Sequence, residues 1–80
     1  MWQVYIIKSV KNLKYYIGCT SNLDRRLFEH NNGYNIATEK DRPWTIVYFE
    51  KFNNQQEAFA REKKIKSYKS GNAFKKLLNK

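Results

Sequence analysis

Hydrophobic and polar residues change rhythm several times along the chain, and each rhythm predicts an element. Residues 2–8 alternate loosely and are rich in aromatic and β-branched side chains, which predicts a strand, and residues 14–18 (Lys-Tyr-Tyr-Ile-Gly) predict a second. Lys11-Asn12-Leu13 between them is short enough for a hairpin. Ser21 is positioned to cap a helix whose first turn carries Asp24 and which should run to about His30, because Asn31-Asn32-Gly33 is a stop signal. Residues 33–43 hold Gly33 and Pro43 with little periodicity and predict an exposed loop. Trp44 to Phe52 is the densest run of β-branched and aromatic residues and predicts the third strand. Asn54-Gln55-Gln56-Glu57 has the spacing of a capping box opening a second helix to about Tyr68. After a break at Ser70-Gly71-Asn72, residues 73–79 predict a short helix with Phe74, Leu77 and Leu78 turned inward. The order β-β-α-β-α-α gives a small α+β domain: a three-stranded antiparallel sheet flanked by about three helices, filling residues 1–80 as one unit.

Composition narrows the setting. The chain has 80 residues, 41% hydrophobic, with 13 aromatic side chains, enough for one compact core and too few for two. The lone cysteine, Cys19, rules out an internal disulfide, and one Cys with one His cannot complete a structural zinc site. That usage suits a reducing cytoplasm. The apolar run at the N-terminus breaks at Lys8, too early for a signal or spanning segment, so neither targeting nor membrane anchoring is expected.

Charge adds a partner class. Sixteen Lys and Arg against seven Asp and Glu give +9, a balance that suits a polyanion. Residues 61–80 hold +7 of it, through Arg61, Lys63, Lys64, Lys66, Lys69, Lys75, Lys76 and Lys80 against one acidic residue. A solvated, solubilising face is the plain alternative. A membrane-surface helix is disfavoured because the segment lacks a broad apolar stripe.

Within this frame a few residues are candidates for chemistry. At 100° per residue Glu62 falls between Ala58, Phe59 and Ile65 on the apolar side of the second helix. A carboxylate there needs either a basic partner or a bound cation. Arg26, Glu29 and His30 share one helix face, pairing a guanidinium suited to phosphate with an imidazole able to move a proton near neutrality, although such residues are commonly ordinary surface groups. Arg25 points elsewhere and serves as a control. Strand alternation sends Tyr15 and Tyr16 to opposite faces, and an unperturbed phenol is a poor base without help from a cation. No phosphate-binding glycine loop, paired-cysteine motif or Ser-His-Asp set is present, and Cys19 has no evident partner as a nucleophile.

Taken together, the ordered set Val4-Tyr5-Ile6, Tyr16-Ile17-Gly18, the run from Gly18 to Asn31 with Arg26 and His30, and Ala60-Arg61-Glu62-Lys63-Lys64-Ile65-Lys66 resembles the GIY-YIG nuclease family. It is closest to the small stand-alone branch and similar to the N-terminal nuclease domain found in the excinuclease. The resemblance implies a metal-dependent endonuclease that hydrolyses nucleic-acid phosphodiester bonds, with DNA as the expected substrate, in repair, recombination or DNA processing. It implies one divalent cation, Mg²⁺ or Mn²⁺, held by Glu62. Tyr5 would be general base or water-positioning group, with Tyr16 its partner. Arg26 would stabilise the phosphate and His30 would assist proton transfer. Arg25, Lys63, Lys66, Lys69 and Asn72 are candidates for nucleic-acid contact. A monomer with no required protein partner is expected. The first tripeptide lacks its glycine, Cys19 stands where many members have Lys, and Phe74 falls near a position some members give to Asn. A weak or inactive nucleic-acid-binding module is the alternative, and an adaptor for an acidic protein is a third class.

Overall fold

The computed structural model describes residues 1–69 and 71–79. β1 (Trp2–Ser9) and β2 (Tyr15–Thr20) form an antiparallel hairpin, and β3 (Trp44–Phe52) pairs antiparallel with the other edge of β1, giving the order β2-β1-β3. α1 (Leu23–Asn31) follows β2; α2 (Gln55–Lys66) and α3 (Asn72–Leu78) follow β3. This is the predicted α+β architecture, with element ends shifted by one or two residues.

The central place of β1 follows from its composition, because a strand paired on both edges and covered on both faces must be apolar on alternate and intervening positions alike. Val4, Tyr5, Ile6 and Ile7 are all buried. Alternation divides them. Val4 and Ile6 pack with Ala58, Ile65 and Phe74 under α2 and α3, joined by the half-buried Leu77 and Leu78. Tyr5 and Ile7 pack with Leu23 and Trp44 on the α1 face, joined by Tyr16, Leu27 and Ile46. A register irregularity opposite β3 falls between Ile6 and Ile7, just beyond Tyr5.

Three local expectations change. The α1 cap is Asn22 and not Ser21: the Asn22 side chain accepts from the Arg25 N–H, while Thr20 closes the preceding turn by accepting from the Asn22 N–H. Phe59 stands at the margin of the α2 apolar face, 48% exposed, with its ring edge-on to Trp2 instead of in the core. The segment 33–43 is not simply an exposed loop. It contains a short 3₁₀ turn (Glu39–Asp41), and Thr38 within it is completely buried. The cap at the start of α2 holds: the Asn54 side chain accepts from the Glu57 N–H. Of the predicted break before α3, Ser70 lies outside the described residues.

Candidate active site

Register places the site's first two members. Tyr5 lies opposite Gly18 across the hairpin, and the phenol covers the glycine so closely that a Cβ there would sit 2.4 Å from the Tyr5 oxygen. Any side chain at 18 would evict the ring. Tyr16 projects from the same face of β2, its ring centroid 5.0 Å from that of His30 and 6.5 Å from that of Trp44. Tyr15 goes to the other face, edge-on to Phe74, as alternation requires.

α1 contributes the next two. His30 is completely buried and bonded at both ring nitrogens: Nε2 lies 2.9 Å from the Tyr5 oxygen and Nδ1 lies 2.8 Å from the Thr38 hydroxyl. Burial, reinforced by the charge of Arg26, lowers the imidazole pKa from 6.5 to about 4, against a smaller opposing pull from Glu29. His30 is therefore neutral at physiological pH. Burial also pushes the Tyr5 phenol up to about 12, although the Arg26 guanidinium facing it pulls the other way. Arg26 in turn donates to Glu29 at 3.0 Å, and although burial opposes its charge, Glu29 and Tyr5 together raise its pKa.

The contrast between the two arginines is narrower than helix geometry suggests. Arg25 also reaches Glu29, at 3.8 Å, so both cations share one carboxylate. They differ in exposure, 68% for the Arg25 side chain and 30% for that of Arg26, and in that Arg26 faces Tyr5.

Glu62 comes from α2. Its side chain is 18% exposed and pairs with Lys66 at 2.7 Å, so the basic partner that a carboxylate on this face calls for is present. Its charge is felt at Tyr5 and at Cys19, whose thiol is raised first by burial and then by Glu62, which argues against a thiolate nucleophile. Glu62, Lys63 and Lys66 line an open cavity of about 560 Å³ with Phe59 and Ala60. No cluster of three His, Cys, Asp or Glu residues exists among the described residues. One carboxylate still fits a small hard cation that keeps most of its water and takes phosphate oxygens as further ligands. Glu62 is the residue that would hold it.

The remaining candidates are exposed. Lys63 adjoins Glu62, Lys69 sits beyond the end of α2 in a left-handed backbone conformation, and Asn72 opens α3. The residues that sequence reading missed all brace the site. Thr38 caps the imidazole, its backbone carbonyl accepts from the Trp44 indole at 2.9 Å, and Asn31 bonds the Trp44 backbone through both amide atoms, at 3.1 and 2.6 Å. Nothing in the periodicity of residues 33–43 marks Thr38, because its partners lie on other elements.

The order of Tyr5, Tyr16, Arg26, His30 and Glu62 along the chain, and the meeting of the first four beneath one sheet face, invite comparison with known proteins. The GIY-YIG catalytic domain matches residues 1–76. A UPF0213 protein of Clostridium perfringens is 45% identical over 64 residues, covering 79% of this chain and 68% of that protein. A UPF0213 protein of Listeria welshimeri is 38% identical over 77 residues, covering 95% and 74%, and one of Haloquadratum walsbyi is 38% identical over 66 residues, covering 81% and 73%. No solved structure matches. With the domain match running from the first strand into α3, across every element that supplies the site, the chain belongs to the GIY-YIG family.

Proposed function

We propose that this protein is a divalent-metal-dependent endonuclease that hydrolyses phosphodiester bonds in DNA, in a repair, recombination or DNA-processing role. The observation that carries the reading is the convergence of Tyr5, Tyr16, Arg26 and His30 on one face, with Glu62 close enough to be felt at Tyr5. A guanidinium fixed beside a phenol and a neutral imidazole can bind a phosphate oxygen and orient a water. Arg26 neutralises charge growing on the non-bridging oxygens. Tyr5 holds the attacking water, and His30, neutral near pH 7 and too weak a base to store the proton, assists by holding the phenol through the bond at its Nε2. Tyr16 flanks the nucleophile. Glu62 holds the cation, Mg²⁺ or Mn²⁺, which when bound offsets charge at the phosphate and the departing oxygen. Arg25, Lys63, Lys66, Lys69 and Asn72 supply nucleic-acid contacts outside that centre.

A binding module without catalysis is the second reading, favoured by the Lys66 ammonium that already satisfies Glu62. Labelled single- and double-stranded DNA and RNA, incubated with Mg²⁺, Mn²⁺ or chelator, decide between them. Cleavage that needs the cation and disappears in folded Glu62→Gln supports the enzyme. Metal-independent binding with no cleavage of any substrate refutes it.

A further inference from the structure

The row of polar groups Arg26, Tyr5, His30, Thr38, Asn35 has a property that follows from its two ends. Arg26 at one end is a guanidinium, which can only donate, and it faces the Tyr5 oxygen. The Asn35 carbonyl at the other end can only accept, and it lies 3.3 Å from the Thr38 hydroxyl. Between them stand two groups that each donate one proton and accept another, and one imidazole with two tautomers.

Fixing the ends fixes the middle. If the Tyr5 oxygen accepts from Arg26, the phenol O–H is left to donate to His30 Nε2, 2.9 Å away. If the Thr38 hydroxyl donates to Asn35, its oxygen is left to accept from His30 Nδ1, 2.8 Å away. Both conditions require the same tautomer, with the proton on Nδ1. In the opposite tautomer Nε2–H and Arg26 would both donate to the Tyr5 oxygen, and the buried phenol proton would lose its acceptor, a costly omission where no solvent reaches.

We propose that Thr38 is a positioning residue that locks His30 as the Nδ1–H tautomer, so that its Nε2 lone pair accepts from the Tyr5 O–H and fixes the orientation of the phenol. Thr38 touches neither substrate nor cation; it acts through His30. This role explains why a loop residue is completely buried and why its backbone is tied down from the far side by the Trp44 indole. It also gives the hydrogen bond a direction: the Tyr5 O–H points toward α1, which leaves the phenol oxygen's lone pairs facing Arg26. The catalytic consequence rests on the nuclease reading above, whereas the tautomer does not.

His30 is the chain's one histidine, so its imidazole can be read without assignment. In ¹⁵N-labelled protein at neutral pH, long-range ¹H–¹⁵N spectra should show a pyrrole-like Nδ1 and a pyridine-like Nε2. Thr38→Ser, which keeps the hydroxyl, should preserve that pattern and most of any cleavage. Thr38→Val, of matching shape without the acceptor, should move the proton to Nε2 or mix the tautomers. It should also slow single-turnover cleavage about 100-fold, the scale of a reacting group misplaced by about 1 Å. If Thr38→Val does not fold, Thr38→Cys, whose sulfur is a weak acceptor, makes the same comparison. A pyridine-like Nδ1 in the wild type, or an unchanged tautomer in the folded Val or Cys variant, overturns the proposal. The expected tautomers without cleavage by any variant would leave Thr38's role intact and sink the nuclease reading instead.

Discussion

Gly18→Ala is the sharpest test of how the site is packed, because it adds one methyl group at a place where the structure has no room. The new Cβ would meet the Tyr5 oxygen at 2.4 Å, Cζ at 2.5 Å and Cε1 at 3.0 Å, all shorter than ordinary contact. Relief requires the ring to retreat by about 1 Å, and a ring that is 1% exposed has nowhere to go without disturbing its neighbours. The first casualty is the 2.9 Å bond to His30. Overpacking of this kind costs about 1–3 kcal/mol and the lost hydrogen bond about 1 more. In a domain this size that is roughly 10 to 25 °C in Tm. Displacing a reacting group by about 1 Å should reduce single-turnover cleavage about 100-fold. Thermal and urea unfolding read the first effect and a labelled-substrate assay the second. A double-mutant cycle makes the attribution specific: in a Tyr5→Leu background, which removes the clashing atoms, the same glycine substitution should cost little. A Gly18→Ala protein with unchanged Tm and rate would show that Tyr5 is not wedged as described.

Other consequences follow from the same geometry. The folded pKa of His30 is depressed from 6.5 to about 4, so the unfolded chain binds the extra proton between those values; stability is full above pH 6.5 and is lost as pH falls toward 4, by about 3 kcal/mol in all. Equilibrium unfolding across that window measures it, and an imidazole titrating near 6.5 in the folded protein would contradict it. Arg26→Ala should reduce cleavage roughly 100- to 1000-fold by removing a transition-state donor, whereas Arg25→Ala should alter mainly binding; equal effects on rate would mean that the helix supplies general charge. Changing Lys63, Lys66 and Lys69 together to Gln should weaken binding to all sequences alike and flatten the log-log salt slope by about 0.9 per lost contact with duplex. An unchanged slope would mark these three lysines as a solvated face.

What the sequence made legible was whatever depends on near neighbours. β3 was plain because its side chains suit a pleated surface, and Asn54 because its cap partner Glu57 lies three residues away. Tyr5, Tyr16, Arg26, His30 and Glu62 became candidates through ordered resemblance, since apart from Glu62 on its apolar helix face no single one of them is conspicuous. Ser21 was misjudged as a cap because two adjacent residues could do the same work and the Thr20–Asn22 turn decides between them. Phe59 was misplaced because a helical wheel gives direction and not the edge of the sheet it must reach. The greater loss was the segment 33–43. Its order comes from Ser9 donating to the Asp41 carbonyl across 32 residues, from Lys11 reaching the Lys40 carbonyl, and from Trp44 and His30 closing on Thr38. None of those contacts leaves a period in the chain.

Those same contacts divide the site into two halves of different stiffness. On one side β1 carries both Tyr5 and Ser9, Ser9 anchors the 3₁₀ turn, the turn presents Thr38, Thr38 holds His30, and Asn31 on the same helix bonds the backbone of Trp44. The path closes on itself through β3, which pairs with β1. A closed ring of short bonds keeps the phenol and imidazole in register before any ligand arrives, which is the condition for positioned chemistry, while the Arg26 guanidinium is held by Glu29 on the same helix. Glu62 stands outside that ring, and its side-chain partner is the half-exposed Lys66. Because Lys66 is half exposed and an arriving cation would take over its role, exchanging one partner for the other leaves the carboxylate compensated throughout. Divalent cation at Glu62 would then release Lys66 toward phosphate, coupling metal and nucleic-acid binding through one lysine. Lys66→Gln should therefore strengthen Mn²⁺ binding to the free protein while weakening DNA binding. Titration calorimetry with Mn²⁺ alone reads the first and salt-dependent DNA binding the second, and a Lys66→Gln protein that binds both ligands as the wild type does would show that the two halves are not joined there.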